Sequence, residues 1–192
     1  MKEKTQGKHE HYQDYVIKNG QFIGEFEKMY QHFDDPWEQS KEEFCLDKLV
    51  AINLVQKIGA KKVLELGCGL GHFSNQLNKL GIDVLGVDIS STAINKAKAN
   101  YPDCSFITGD ISSLNIIDEY QPDVILMAEI TWYVLDKLDD FLINIKKRFP
   151  NTYMIHLLTT YPEGKQAYGV DKFTTLPQIL EYFDLDYLEC GE

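Results

Sequence analysis

No stretch of these 192 residues approaches the roughly 20 consecutive apolar positions that a membrane-spanning helix needs. The first eight residues are polar and lack the apolar core of a secretory leader, so the expected location is cytoplasmic. Cysteine is sparse: Cys45, Cys68, Cys104 and Cys190 are scattered without a C-x-x-C pair, which excludes a disulfide scaffold and points to reduced thiols. The histidines show no metal-binding spacing except His9 and His11 near the start, and no metal is expected. Positive charge is short, with 19 Lys and Arg against 30 Asp and Glu and a net charge of −11. An acidic chain without a basic stripe is repelled by phosphate backbones and anionic membranes, so a small molecule is a better partner than nucleic acid or a lipid surface. Repeats and low-complexity tracts are absent, and the length suits one domain with a full core.

What is present is most informative at Val63-Leu64-Glu65-Leu66-Gly67-Cys68-Gly69-Leu70-Gly71. An apolar strand over residues 62–66 must turn sharply into a helix over about residues 70–80. Alternate glycines permit that turn and let a ligand approach the main chain. The loop reads as the floor for a nucleoside-bearing cofactor. A dinucleotide fingerprint, G-x-G-x-x-G, wants its third glycine where His72 stands. Glu65 would repel a pyrophosphate but suit the cationic amino group of a methionine moiety. A second apolar strand, residues 82–88, ends in Asp88, at the spacing where a carboxylate meets ribose hydroxyls. The alternative for Asp88 is a helix cap, a job that Ser90 or Ser91 can take. A third strand from Ser105 ends in Gly109-Asp110-Ile111, where the alternative is plain turn punctuation. Consecutive parallel strands would bring Glu65, Asp88 and Asp110 to one sheet edge, the edge at which open α/β sheets bind ligands.

The pattern E-L-G-x-G-x-G resembles the first motif of class I S-adenosylmethionine (SAM)-dependent methyltransferases. The resemblance runs from about Lys61 to the C-terminus. It implies SAM as cofactor, S-adenosylhomocysteine as product, and a hydrogen bond from the adenine amino group to Asp110 with Ile111 against the ring. Its cofactor contacts map onto Glu65, Gly67, Cys68, Gly69, Gly71, Asp88, Ile89, Asp110, Ile111 and Glu129. The expected fold class is α/β, a Rossmann-like, doubly wound, mostly parallel sheet with flanking helices. Residues 1–57 are expected to form an N-terminal helical lid and residues 58–192 the SAM-binding domain. Asp35-Pro36-Trp37 ahead of a helix resembles saccharide-modifying members, including the nodulation N-methyltransferase group; Trp37 could equally be a core anchor.

Alternation of strand and helix continues along the chain. A helix over residues 92–100 stops before Pro102, and residues 123–128 form an apolar run suited to a buried central strand. Leu138, Phe141, Leu142, Ile145 and Phe149 recur at helical spacing. A fifth strand covers residues 153–158, Pro177 lies in the first turn of a further helix, and residues 185–190 read as a sixth strand. The resemblance implies a seventh strand for which no residues are expected before Glu192, so a shortened member, a fragment and an edge covered by another segment stay open; an uncovered edge is a route to a homodimer.

The acceptor is expected beyond the fourth strand. Glu129 is the carboxylate there, a candidate general base or orienting group, and His156 on the fifth strand is a second catalytic candidate with a core role as its alternative. Trp132 and Tyr133 could form an aromatic wall. Residues 159–169, with Tyr161 and Tyr168, read as an acceptor-binding flap, and Lys165 and Lys172 could meet a phosphate of a nucleotide sugar. The expected reaction is methyl transfer to oxygen or nitrogen of a small, saccharide-related acceptor. A non-catalytic SAM-binding partner protein and a nicotinamide oxidoreductase are the alternatives.

Overall fold

A computed structural model of the chain describes residues 11–41 and 45–191. Five strands form one parallel sheet: β3 (Lys62–Leu66), β4 (Asp83–Asp88), β5 (Ser105–Thr108), β6 (Val124–Ala128) and β7 (Tyr153–Leu157), in the order β5-β4-β3-β6-β7. Ahead of them lie a hairpin of β1 (Ile17–Lys18) and β2 (Gln21–Phe22), helix α1 (Phe26–His32) and helix α2 (Leu46–Ile58). Helices α3 (His72–Lys79), α4 (Ser91–Asn100), α5 (Asn115–Tyr120) and α6 (Leu135–Arg148) follow β3 to β6 in turn, and α7 (Leu176–Phe183) follows β7.

The sheet divides two apolar layers. Leu64, Leu66, Ile125 and Met127 pack against Leu138, Phe141 and Ile145 of α6, Ile117 of α5 and Phe183 of α7. Val63, Val84, Val124 and Leu126 pack on the other face against Ala51 and Val55 of α2 and Phe73 and Leu77 of α3. Alternation along each central strand supplies both faces, as a sheet covered on two sides requires. The β3–β6 pairing is pinned at its foot by Asp123, whose Oδ2 accepts the Lys61 and Lys62 amides at 2.7 and 2.9 Å. The architecture is the expected Rossmann-like α/β class.

Four expectations change. Residues 185–190 are not a strand. Alternation there mixes Leu185, Tyr187 and Glu189 on one side with Asp186, Leu188 and Cys190 on the other, so neither side is apolar enough to bury; Leu188 stays 72% exposed. The segment instead crosses the β7 side of the sheet: Tyr187 donates to Leu180 O of α7 at 2.7 Å, and Glu189 pairs with Lys57 of α2 on the opposite face. The second change is the β1–β2 hairpin in a region read as helical. Asn19 and Gly20 both have positive φ, 52° and 73°, the backbone that the tightest hairpin turns use. Finally, α5 arises where no helix was expected, and α3 begins at His72 rather than Leu70 because residues 67–71 are all spent on the turn. The polar first eight residues and His9 lie outside the described residues. No described helix is long and apolar enough to cross a membrane.

Candidate functional site

The site is built where β3 turns into α3. Gly67, Gly69 and Gly71 have φ of 72°, 53° and 78°, so each needs the left-handed backbone that glycine adopts without strain. The Gly67 and Cys68 amides both donate to Val87 O, at 2.7 and 3.0 Å, which ties the loop to the end of β4. The glycines differ in what they admit. A β-carbon at Gly71 would stand 2.4 Å from the Phe106 ring, so that position serves core packing. At Gly67 it would meet Ile130 at 2.2 Å, and at Gly69 it would meet Tyr30 Oη and Gln39 Oε1, each at 2.7 Å.

Parallel pairing does bring the three acid-bearing strand ends to one edge, but their side chains do different work. Glu65 is 3% exposed and accepts a hydrogen bond from Ser74 Oγ of α3, beneath the loop. Burial raises its pKa to about 7, against the opposing Ser74 hydrogen bond and the Lys48 charge. Asp88 is 7% exposed and stands on the loop itself, with Oδ2 accepting the Gly69 amide at 3.0 Å and Oδ1 the Ser90 amide at 2.9 Å. Burial pushes its carboxyl up, against those backbone bonds. Ser90 takes the capping job, with Oγ accepting the Ala93 amide at 3.1 Å. Asp110, two residues past the end of β5, reaches α6, where Lys137 donates to Oδ2 at 2.5 Å, and the Ser112 amide and hydroxyl donate to Oδ1 at 2.9 Å. Burial would raise Asp110, yet Lys137 and Ser112 outweigh it and hold the carboxyl below its ordinary value.

Residues 11–41 add groups that the motif reading missed. Gln39 Oε1 accepts the Leu70 amide at 3.0 Å, and Tyr30 is 2% exposed over the loop. Burial, then the Asp88 charge, raises the Tyr30 pKa. Trp37 packs with Tyr12, Phe26, Tyr30 and Tyr133 at ring separations of 5.7 to 6.3 Å, so it is a core anchor of this segment as well as a neighbour of the loop. A clue was present in the aromatic density of residues 12–37; the pairing of Gln39 with Leu70 had none.

Beyond β6 the chain turns at Glu129, whose φ of 60° is unusual for a residue with a side chain. Its amide donates to Leu157 O at 2.9 Å and its Oε2 accepts the Thr159 amide at 2.8 Å, so the residue couples the ends of β6 and β7. His156 Nε2 lies 2.6 Å from Thr131 Oγ1, its ring stacks on Phe183 at 4.5 Å, and burial lowers its pKa to about 4. These contacts describe a packed, neutral histidine. Trp132 is 6% exposed, donates Nε1–H to Thr159 O at 3.0 Å and packs near Phe173 and Tyr161. Tyr133 faces Phe26 and Trp37, and burial raises its pKa to about 12. Tyr161 is 46% exposed, while Tyr168 stacks on Phe22 of the hairpin at 6.3 Å. Lys172 pairs with Asp139 at 3.0 Å, and Lys165 is exposed.

The residues fit a nucleoside cofactor. A buried carboxylate, Asp88, ends β4 directly beside Ile89, an apolar side chain left 54% exposed, and Ile111 stands half-buried after β5. Openings flanking this rim are small: about 130 Å³ beside Ser112, Leu114 and Lys137, and about 100 Å³ beside Gln39 and His72. Both fall short of the roughly 300 Å³ at which small-molecule pockets begin. Residues 30 and 39 stand where a ligand would reach the loop.

Comparison with known proteins agrees with this architecture. Residues 63–148, from β3 to the end of α6, match the family described as Methyltransferase domain. A ubiquinone biosynthesis O-methyltransferase of Actinobacillus pleuropneumoniae serotype 7 is 27% identical over 201 residues, covering 88% of this chain and 85% of the relative. A malonyl-acyl-carrier-protein O-methyltransferase of Hamiltonella defensa is 36% identical over 77 residues, 38% of this chain and 30% of that protein, so the chain spans under a third of that relative's length. The solved sugar N-methyltransferase KedS8 of a Streptoalloteichus species superimposes with a TM-score of 0.57 over 70% of this chain and 56% of its own. At 15% identity that likeness is one of fold alone.

Proposed function

We propose that this chain is a class I SAM-dependent methyltransferase and that it transfers a methyl group to an oxygen or nitrogen of a small, saccharide-related acceptor. The observation that carries the reading is Asp88: a buried carboxylate at the end of β4, bonded to the glycine loop and bordered by exposed Ile89. When bound, the cofactor supplies an electrophilic methyl group on a sulfonium. The chain's own residues then have to hold and align. Asp88 would take the ribose hydroxyls, Ile89 and Ile111 the faces of the adenine, and Asp110 its amino group. Asp88 and Gln39, which accept the Gly69 and Leu70 amides, would hold the loop in place beside the methionine end, with residues 11–41 as the lid.

Glu129 is the group we assign to the acceptor. One carboxylate oxygen is held by the Thr159 amide, which fixes the rotamer, and the second can orient an acceptor O–H or N–H. Alignment of two reactants contributes on the order of 7–11 kcal/mol, enough that a strong base is not essential. The saccharide preference rests on the Asp35-Pro36-Trp37 resemblance and on the exposed Tyr161 ring, a flat face of the kind sugars stack on. The O-methyltransferase relatives favour oxygen chemistry, whereas the sugar enzyme of like fold methylates nitrogen.

Calorimetry with S-adenosylhomocysteine tests the cofactor half: a folded protein that takes up none at millimolar ligand ends the reading. Mass spectrometry of a metabolite extract incubated with isotopically labelled SAM tests the acceptor half. Label in a sugar-containing product is expected. Binding without transfer to any product would instead favour a cofactor-binding partner protein.

A further inference from the structure

The lid reading above leaves open what fastens residues 11–41 to the glycine loop, and the contacts between α1 and α4 answer it. Glu27, in the first turn of α1, places its carboxylate on the start of α4. It accepts from Ser90 Oγ at 2.7 Å, Ser91 Oγ at 3.2 Å, Thr92 Oγ1 at 2.6 Å and the Thr92 amide at 3.2 Å. The exchange runs the other way at the far end. Lys96, on α4, donates to Tyr30 O and Phe33 O at the end of α1, each at 2.8 Å, and lies 3.6 Å from Asp34. An anion therefore sits on the positive end of α4 and a cation on the negative end of α1, the arrangement helix dipoles favour.

Both fastenings border the cofactor site. Ser90 carries the amide that Asp88 accepts, and Tyr30, whose carbonyl Lys96 holds, puts its hydroxyl at the Gly69 position. With the fastenings made, Asp88, Cys68 and Glu65 are all below 8% exposure and the nearby openings are too small for a nucleoside. A ligand reaching the loop must first move Tyr30 and Gln39; Tyr30 belongs to α1, which is held at both ends, and Gln39 follows six residues after Phe33, whose carbonyl Lys96 holds.

We propose that Glu27 and Lys96 form a two-ended clasp that sets the rate at which the cofactor enters and leaves, acting as positioning residues for Tyr30 and Gln39. This rests on the cofactor reading above. Bonds to a charged partner are stronger than neutral ones, so releasing one end speeds opening by roughly tenfold or more.

The test is stopped-flow fluorescence of the full chain mixed with S-adenosylhomocysteine. Trp37, one of two tryptophans, reports from within the segment. In the wild type the observed rate is expected to level off as ligand rises, because opening limits it. Glu27→Ala and Lys96→Met each raise that ceiling about tenfold, while Lys96→Arg, which keeps the cation and its donors, stays near wild type. A role in stability alone would lower the melting temperature and leave the ceiling in place. A wild-type rate that climbs linearly without a ceiling, or ceilings unchanged in both variants, overturns the clasp. Should Glu27→Ala fail to fold, Lys96→Met decides. If the wild type binds no S-adenosylhomocysteine by calorimetry, the cofactor reading fails and the clasp with it; binding without a ceiling removes the clasp alone.

Discussion

Asp110 and Asp88 illustrate how far a residue's type is from its task. Asp88 ends β4 and Asp110 follows β5, each just before an isoleucine, yet Asp88 is locked under backbone amides and Asp110 is braced by an ammonium. Replacing Asp88 removes two loop anchors together with any ribose contact, so its loss mixes structure with binding. Lys137 is the cleaner probe. In Lys137→Met, burial acts on Asp110 with only Ser112 to oppose it, and the carboxyl moves up from its depressed value. Affinity for S-adenosylhomocysteine is expected to fall about fivefold at pH 7 and further on acidification to pH 5, while wild type stays level over that range and Lys137→Arg follows wild type. Parallel pH profiles for Met and wild type would remove Lys137 from the site. At this scale the sequence was partly legible. Glycines and acids at strand ends declare themselves by spacing. Lys137, Gln39 and Tyr30 do not, because each reaches its partner over a sequence separation of 27 or more through side chains that carry no periodic signal.

Elements were easier to read than residues. The strands over residues 62–66, 124–128 and 153–157 fall where mainly apolar runs put them; only residues 124–128 are apolar throughout, while β3 and β7 carry Glu65 and His156 inside by giving them Ser74 and Thr131 as partners. The short β1–β2 hairpin escaped because its two-residue arms are too brief for alternation to show, although Asn19-Gly20 is a turn signal in its own right. The β3–α3 junction has a measurable electrostatic signature. Glu65 keeps its proton to about pH 7 in the folded chain but loses it near 4.5 when unfolded. The folded state therefore binds the extra proton between those values, and stability falls as pH rises through that window, by at most about 3 kcal/mol. Glu65→Gln removes this slope. The melting temperature of the variant relative to wild type is expected to climb from pH 4.5 to pH 7 and then level; a constant difference would mean that Glu65 is ionised throughout.

For the whole molecule the main surprise was the β7 side of the sheet. A sixth strand was expected there, and residues 185–190 pass it as an irregular segment held by Tyr187 and Glu189. Hydrogen-bonding groups on an uncovered edge invite pairing with another chain. Truncation after Asp184 is therefore expected to increase self-association, seen as faster sedimentation at equal concentration, and unchanged sedimentation would show that the segment shields nothing. Net charge of −11 favours separation of copies and should make that association stronger at high salt.

Sheet order also has a consequence in time. β3 pairs with β4, Lys62 opposite Asp83, after only a short stretch of chain, but its other side must wait for β6, with Val63 opposite Val124. During synthesis the first half of the sheet can assemble while the flank of its central strand is still bare. That interval closes only once Asp123 and the strand behind it have emerged, with Asp123 accepting the Lys61 and Lys62 amides at the foot of the new pairing.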